Sequence, residues 1–584
     1  MQALPSWDLT DLYTSQQAPE IDRDLELAAQ ETEQFVSDFQ GKLATASPAT
    51  LLDAIQRYER IEERLCRLMS YAYLLYATHL NDPLVLQFFQ GLQEKATQTS
   101  SALVFLTLEI NDIDEAALTK AYDNAEIKHY KSWIDRVRLY CPHLLSKEME
   151  RFIHDKSVTG RSAWVRLYDE TLSQIRCPFG KNMLSISEVL NQMGESDPAL
   201  RQKAAIALSL GLTERMPLFT LVTNTLAKDK EIEDTWRKYP DPMASRHLAN
   251  QIEAPVVDAL VAATKEHYPV LSHRYYAWKA KFLGKDPLDY WDRNAPLFEE
   301  DQKVSWDEAK DIVLDAYRGF SAPMADIAEQ FFTNSWIDAS LKPGKDSGAF
   351  SHSTVPSVHP YIFMNYHGRY RDVTTLAHEL GHGIHQTLAS SHGLFVADTP
   401  LTIAETASVF GEMLTSQALL SKAKDTNTRR ALLAGKIDDM LNTVVRQVAF
   451  FDFEKQVHEQ RRHGEVTADE LADIWIRTQG EALGPAVRLD PLIRPFWAYI
   501  SHFIHAPFYV YAYAFGDCLV NSLYAAYANG FPNFQETYLD MLRAGGSKRY
   551  PELLAPFGFQ AQDPQFWSQG LGVIASFIEE LEAL

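Results

Sequence analysis

The sequence predicts a mainly α-helical fold that carries one small β-sheet, and three observations support this fold class. Stretches rich in Leu, Ala and Glu, at about residues 20–41 and 48–110, place apolar residues three and four positions apart, as on one helix face. The same helical spacing of apolar residues returns after about residue 195 and continues to the C-terminus, with breaks at Pro, Gly and Asp clusters. Strand patterns are rare, and the clearest is at residues 342–373, where aromatic and β-branched residues between Gly and Pro predict a short hairpin.

The sequence gives little indication of domain boundaries, because its 584 residues contain no evident linker and no internal repeat. We predict an N-terminal helical region over residues 1–190 and a second region over residues 191–584. The second region contains the candidate metal-binding motifs described below.

The composition is that of a globular protein, with 46% hydrophobic and 23% charged residues. The formal net charge of −23 disfavours a nucleic-acid partner, since such proteins normally present a basic surface. The four cysteines lie far apart without a CxxC pair, which predicts reduced thiols rather than a disulfide framework or a cysteine zinc site. They are Cys66, Cys141, Cys177 and Cys518.

Targeting and membrane signals are not evident. The N-terminus lacks the basic stretch followed by an apolar stretch that marks a secretory signal. The longest aromatic-rich run, residues 503–520, carries His505, Pro507 and Asp517, so it does not fit a membrane span of about 20 mostly apolar residues. We therefore expect a soluble, cytoplasmic protein without a membrane partner; its oligomeric state is not indicated.

The most informative segment is residues 372–390, DVTTLAHELGHGIHQTLAS, in which an apolar residue recurs every four positions. This pattern predicts a core-facing helix, with Asp372 as its N-cap. His378 and His382 are one turn apart and project from one face, a separation that suits two nitrogen ligands of one zinc ion. Glu379 lies about 100° round the helix, so it is placed to reach a metal-bound water rather than to ligate.

A chance match to HExxH on an exposed helix is the alternative interpretation. The surrounding sequence disfavours it, because seven of the 18 histidines fall within 41 residues. They are His352, His359, His367, His378, His382, His385 and His392.

A catalytic zinc site needs a third protein ligand, and Glu405 is the candidate. It follows His382 by 23 positions, enough for the helix to end near Gly393 and for the chain to return antiparallel. Thr402 and Glu405 also match a capping box, in which Glu405 would only cap its own helix. Glu412, seven residues on, would share the helix face and could orient a ligating histidine, or could be a solvated surface carboxylate.

At this point the chain resembles a known family. HELGHGIH at residues 378–385, followed by ETAS at 405–408, is similar to the thimet-oligopeptidase-like zinc peptidases, and the oligoendopeptidase F branch is the nearest match. The resemblance spans nearly the whole chain. It includes WDLTDLY at residues 7–13, SGAF at 347–350, PYI at 360–362, NY at 365–366 and PFYVY at 507–511.

The resemblance implies a large helical ellipsoid split by a deep substrate channel, with zinc on the channel floor and a small β-sheet beside the zinc-binding helix. Residues 1–190 would form one wall of the channel, and residues 191–584 would be the catalytic region. It also implies that His385 is not a zinc ligand but a core residue or a residue behind the ligands.

Family members use a histidine and tyrosines near the C-terminal end to contact substrate and transition state. The matching positions here are His502, Tyr509 and Tyr511, with His505 and Tyr513 as substitutes, because the spacing is shorter than in the thimet branch. An aromatic-rich run is otherwise usually core packing.

The resemblance also implies endopeptidase action on unfolded oligopeptides. Together with the motif, it predicts a zinc-dependent endopeptidase that hydrolyses internal bonds of short oligopeptides. One Zn²⁺ per chain would be held by His378, His382 and Glu405, and Glu379 would activate its water. The strand at Tyr361–Tyr366 would present a free edge to an extended peptide. The alternatives are a helical zinc carboxypeptidase and a catalytically silent peptide-binding protein, and manganese or cobalt could replace zinc.

Overall fold

The computed structural model describes residues 4–298 and 303–584. Helix takes 71% and strand 3% of the structure, which confirms the predicted mainly α fold. The prediction had one small sheet, whereas the described residues form three. The helices of the N-terminal half are α1 (Pro19–Phe39), α2 (Pro48–Ala77), α3 (Pro83–Ser101), α4 (Phe105–Asn111), α5 (Glu115–Ala121), α6 (Ala125–His129), α7 (Lys131–Arg138), α8 (Lys147–Ser157), α9 (Arg161–Gln174), α10 (Ile186–Gln192), α11 (Pro198–Thr213), α12 (Met216–Trp236), α13 (Ala244–Ala249), α14 (Ala254–His267) and α15 (Ser272–Phe282).

Helices continue through the C-terminal half in the same way. They are α16 (Trp306–Phe320), α17 (Ala322–Thr333), α18 (Tyr370–Ala389), α19 (Leu394–Ala397), α20 (Leu401–Lys422), α21 (Thr426–Thr443), α22 (Val445–Arg461), α23 (Ala468–Leu483), α24 (His502–His505), α25 (Tyr511–Ala528), α26 (Phe534–Arg543), α27 (Tyr550–Leu554) and α28 (Pro564–Ala583).

The described strands are short and form three small sheets. They are β1 (Cys177–Phe179), β2 (Asn182–Leu184), β3 (Leu288–Asp289), β4 (Ile337–Asp338), β5 (Phe350–His352), β6 (Tyr361–Phe363) and β7 (Val487–Arg488). β1 pairs antiparallel with β2, and β3 pairs parallel with β7.

The third sheet has the order β4-β6-β5 and precedes α18 in sequence. β5 and β6 are antiparallel, with Phe350 opposite Phe363, which confirms the predicted hairpin. β6 also pairs in parallel with β4. The predicted free edge at Tyr361–Tyr366 is therefore wrong, because β6 is the central strand; β5 lies at the edge.

The chain forms two compact units, and each consists of three segments. The described part of the first unit comprises residues 4–141, 303–422 and 530–559. The described part of the second comprises residues 142–298, 423–529 and 560–584. The domain boundary predicted near residue 190 stays a prediction.

The 30-residue helix α2 organises the core of the first unit. Ser47 caps its start by accepting a hydrogen bond from the backbone N–H of Thr50, and Pro48 supplies the favoured first residue. Ile55 and Ile61 of α2 are buried in a cluster with residues of α1 and α4–α7. Further along α2, buried side chains from Leu68 to Leu74 join a second cluster that includes the first residue of β6. α2 thus connects the helical part of the unit to the sheet.

Among the described residues, no single helix is both long and apolar enough to cross a bilayer. α11 and α12 reach the required length and hydropathy only as a pair, and the pair is bent by 66°.

Candidate metal centre

Helix α18 carries the HExxH motif and turns its apolar stripe to the core. Leu376, Leu380 and Ile384 are completely buried, as their four-residue spacing predicts. The helix begins at Tyr370, two residues before the predicted N-cap. Asp372 is instead the third helical residue, and its carboxylate accepts hydrogen bonds from backbone N–H groups just before the helix. An acidic side chain at this position also complements the helix dipole.

Two glycines allow α18 and α20 to pack closely. A Cβ on Gly381 would lie 2.6 Å from the Cα of Ser408, closer than any ordinary contact. A Cβ on Gly411 would meet the backbone oxygen of Ala377 at 3.1 Å and would overlap the hydroxyl of Tyr317. Since residue 381 faces 408 and residue 377 faces 411, the two helices run antiparallel, as predicted.

The close approach brings the three predicted ligands together. The Oε2 atom of Glu405 lies 3.4 Å from Nε2 of His378 and 3.6 Å from Nε2 of His382. All three candidate ligand atoms lie within 4.8 Å of one another. The alternative capping box at Thr402 does not form, because α20 already begins at Leu401.

These distances fit a divalent metal better than direct hydrogen bonds. Nitrogen and oxygen ligands at 2.0–2.1 Å from a tetrahedral zinc would be about 3.3 Å apart. Separations of 3.4 and 3.6 Å exceed the usual hydrogen-bond range but match this ligand–ligand distance. The residues present therefore suit a zinc site with three protein ligands and one open position.

A second layer of polar side chains lies behind the candidate ligands. Ser408 Oγ donates a 2.7 Å hydrogen bond to Glu405 Oε2, the same oxygen that faces both histidines. Glu412 Oε2 lies 3.4 Å from Nδ1 of His378, on the side of the ring away from Glu405. This position matches the orienting role considered for Glu412, since ligating histidines commonly turn their second nitrogen to a carboxylate.

The histidines and Glu379 lie in a poorly solvated environment. Burial raises the pKa of Glu379 to about 7, and the nearby charge of Glu405 acts in the same direction. Burial lowers the pKa of His382, which favours the neutral imidazole that a metal requires. Glu379 is itself only 6% exposed.

His385 lies outside the ligand cluster, one turn beyond Gly381 on α18. Its side chain is buried, and burial lowers its pKa to about 4. Its Nε2 atom has no hydrogen-bond partner among the described residues.

The predicted residues near the C-terminal end belong to the second unit. His502 and the exposed Tyr513 form one pair, with His502 Nε2 3.2 Å from the Tyr513 hydroxyl. The ring of Tyr509 lies 5.2 Å from that of Tyr513 and also contacts the guanidinium of Arg246. His505 is exposed, and its Nε2 lies 2.8 Å from an Asp169 carboxylate oxygen.

Tyr511 has a different environment from its neighbours. Its side chain is completely buried within the second unit. Asn250 donates a 2.9 Å hydrogen bond to its hydroxyl, and His247 Nδ1 lies 3.1 Å from the same oxygen. This environment favours a packing role for Tyr511. By contrast, the side chains of His502 and Tyr509 are half-buried and that of Tyr513 is exposed to solvent.

Comparison with known proteins agrees with this fold and identifies the family. A model of Peptidase family M3 matches residues 191–573, and a model of Oligopeptidase F matches residues 109–176. A helical fold with an HExxH helix and a facing glutamate, together with these matches, defines the chain as a metallo-endopeptidase. The chain belongs to peptidase family M3, which confirms the resemblance seen in the sequence.

Individual relatives align over nearly the whole chain. Oligopeptidase PepF of Bacillus subtilis (strain 168) is 28% identical over 600 residues, covering 100% of this chain and 88% of that protein. A crystal structure of a Chlamydophila abortus protein has a TM-score of 0.85 at 21% identity, covering 99% of this chain and 100% of that one. Oligoendopeptidase-F from Enterococcus faecium has a TM-score of 0.71 at 21% identity, covering 97% and 98%. The two structures show the same fold.

Proposed function

We propose that this metallo-endopeptidase depends on zinc and hydrolyses internal bonds of short, unfolded oligopeptides. The observation that carries the proposal is the approach of one Glu405 oxygen to the Nε2 atoms of His378 and His382. The preference for oligopeptides is supported by relatives named oligopeptidase and oligoendopeptidase.

His378, His382 and Glu405 would hold the metal, one ion per chain. Zinc bound there would lower the pKa of a bound water toward about 7 and polarise the scissile carbonyl. Ser408 would fix the Glu405 carboxylate and Glu412 would fix the ring of His378, so that the ligands keep their geometry between turnovers.

Glu379 would act first as general base and then as general acid. Its carboxylate would accept a proton from the attacking water and deliver that proton to the leaving amine. The rise of its pKa to about 7, caused mainly by burial, suits both transfers near neutral pH.

Substrate would be held by the backbone and by polar side chains. β5 is an edge strand, so it could add an extended peptide through main-chain hydrogen bonds that tolerate many sequences. For stabilisation of the developing oxyanion we propose His502 and Tyr509, with Tyr513 beside them. Tyr511 is the weaker candidate because Asn250 and His247 already occupy its hydroxyl.

The test is mass spectrometry of products from a mixture of short unstructured peptides. We expect internal cuts that chelation abolishes and that added zinc restores, with manganese and cobalt compared in parallel. Glu379→Gln should retain its metal but lose about 10²–10⁴-fold in kcat. Glu459→Gln, which changes an exposed glutamate on α22, should behave as wild type.

The same experiment separates the other candidates. Stepwise loss of C-terminal residues would indicate a helical zinc carboxypeptidase, and intact peptides bound to metal-loaded protein would indicate a binding protein. Substantial turnover by Glu379→Gln would rule out the proposed base. The predicted cytoplasmic location stays a prediction.

A further inference from the structure

A cavity of about 970 Å³ lies within the first unit, beside α18, the helix that carries the HExxH motif. Its wall includes the candidate ligand His382 and, one turn further along α18, Gln386. Gln386 Oε1 accepts a 2.9 Å hydrogen bond from Ser351 Oγ, in the middle of the edge strand β5. The cavity therefore adjoins both the candidate site of bond cleavage and the strand proposed to hold the peptide.

One face of α2 forms another part of the cavity wall. The lining residues follow helical spacing and are Glu62, Cys66, Met69, Ser70 and Tyr73. Ser70 Oγ lies 3.0 Å from Nε2 of His352, so the last residue of β5 rests on this face. Eight residues separate Ser70 from Glu62, a distance of about 12 Å along a helix that rises 1.5 Å per residue.

Among the other ionisable groups of the wall, Arg136 is already paired and two buried histidines are neutral. Arg136 donates hydrogen bonds to the backbone oxygen of Asp398, at 2.7 Å, and to its carboxylate, at 3.4 Å. Burial lowers the pKa of both His352 and His385 to about 4, so these rings are uncharged at neutral pH.

Glu62 differs from these groups. It is half-buried in the cavity wall, and no hydrogen bond or ion pair links it to a cation in the described parts of the chain. Burial raises the pKa of Glu62, as expected for a carboxyl group without a nearby positive charge. A cation entering the cavity would find there an uncompensated carboxylate in a partly desolvated position, where a charge pair is worth more than at the surface.

The neighbouring wall suits the stem of a long basic side chain. Met69, Trp133 and Phe395 line the same cavity and offer apolar surface for methylene groups. Apolar side chains that share a cavity wall with an uncompensated carboxylate are the arrangement expected for an amphipathic cation rather than for an anion.

We propose that Glu62 is a specificity-determining residue that binds a cationic group of the peptide, either an ammonium or a guanidinium. This inference rests on the proposed peptidase function and names a substrate feature that the function leaves open. The cation could come from a Lys or Arg side chain or from the free N-terminus.

The test compares arginine with citrulline, its uncharged isostere, at each position of an otherwise neutral, N-acetylated peptide. The wild type should prefer arginine about tenfold in kcat/KM at one position, the size of one charge-assisted hydrogen bond. Glu62→Gln should bring this ratio close to one. Glu63→Gln, which removes the adjacent charge outside the cavity wall, should keep the wild-type ratio.

A second set of peptides identifies the source of the cation. If the preference depends on a free rather than an acetylated N-terminus, and Glu62→Gln removes it, the ligand is the terminal ammonium. In either case raised ionic strength should weaken the preference of the wild type and leave Glu62→Gln unchanged.

Two different results would overturn the role of Glu62 and the proposed peptidase function, respectively. Equal ratios for wild type and Glu62→Gln, at every position and at both kinds of N-terminus, would overturn the role of Glu62 alone. A wild type that cuts none of the peptides would overturn the proposed function. Peptide binding to Glu379→Gln, with and without Glu62→Gln, would then still decide whether Glu62 recognises the cation.

Discussion

The backbone N–H of Phe508 donates a 2.9 Å hydrogen bond to Glu454 Oε1, although 54 residues separate the two in sequence. Phe508 has a φ of 60°, in the left-handed region that most side chains avoid. The preceding carbonyl, that of Pro507, accepts a 3.1 Å hydrogen bond from Arg246 Nε. Glu454 and Arg246 thus hold the backbone immediately before Tyr509, one of the residues proposed to act on the oxyanion.

The environment of Glu454 predicts a pH-dependent contribution to stability. Burial raises its pKa from 4.5 to about 8, so between these values the folded protein keeps a proton that the unfolded chain has released. The contribution is therefore fully present below pH 4.5 and is lost as the pH rises through about 8. Wild-type stability should fall more steeply than that of Glu454→Gln, by at most about 1.4 kcal/mol per pH unit.

Urea unfolding between about pH 5 and 8 measures this difference in slope. Glu459→Gln, an exposed change on the same helix, is the matched control and should keep the wild-type slope. Parallel stability curves for wild type and Glu454→Gln would show that the buried carboxyl is already ionised in the folded state.

Gly381→Ala should damage both the fold and the metal site. The added Cβ would lie 2.6 Å from the Cα of Ser408, and neither backbone can yield without separating α18 from α20. We expect a loss of about 1–3 kcal/mol in unfolding free energy, the usual result of overpacking, together with weaker zinc binding.

The control for this change is Gly435→Ala in α21, where the new Cβ would meet no atom within 4 Å in the described structure beyond its chain neighbours and the backbone of its own helix. Because Gly435 is an exposed helical residue, this change should stabilise the protein by about 0.5–1 kcal/mol. Denaturant unfolding of the metal-free forms, followed by zinc titration, would measure both effects. Equal stability of the two variants would contradict the close packing described here.

Ser408→Ala should weaken zinc binding without unfolding the protein. It removes the hydrogen bond to the Glu405 oxygen that faces both histidines, and loss of such a partner typically costs 10–100-fold in metal affinity. Competition with a chromophoric chelator gives the zinc Kd. Ser421→Ala on the same helix, whose hydroxyl donates to the backbone oxygen of Ala418, should leave the Kd unchanged.

Two tyrosines only two positions apart should respond in opposite ways. Tyr509→Phe should lower kcat by about 10²–10³-fold with little effect on melting temperature, if its hydroxyl stabilises the oxyanion. Tyr511→Phe should instead cost about 1–2 kcal/mol of stability, because Asn250 and His247 lose a buried partner. Steady-state kinetics and thermal melts of both variants distinguish the roles; a large kcat loss confined to Tyr511→Phe would reverse the assignment.

The sequence predicted features that depend on local periodicity. The four-residue apolar spacing of α18 fixed which face is buried, and so placed His378 and His382 on the same side. Glu405 could be predicted because the chain between the helices is short enough to force an antiparallel return. The ligand geometry itself depends on Gly381 and Gly411, whose role is visible only once the two backbones are seen in contact.

Contacts between residues that lie far apart in the sequence could not be predicted. β4 contributes only two residues to the sheet, too few to show a strand pattern, so its pairing with β6 was missed and the free edge was assigned to the wrong strand. Glu454 lies between Asp452 and Lys455 in α22, where a carboxylate is ordinary, and nothing in this local sequence points to Phe508. Ser408 was part of the motif that carried the family resemblance, but its partner atom was not predictable.

The brevity of β5 has a consequence for self-association. A row of unpaired backbone groups at a sheet edge is a template onto which another copy of the chain can stack, and long flat edges therefore promote aggregation. An edge of three residues offers too few donors and acceptors to hold a second sheet. If β5 holds extended peptides as proposed, its edge can stay open to them without offering a long surface for self-association.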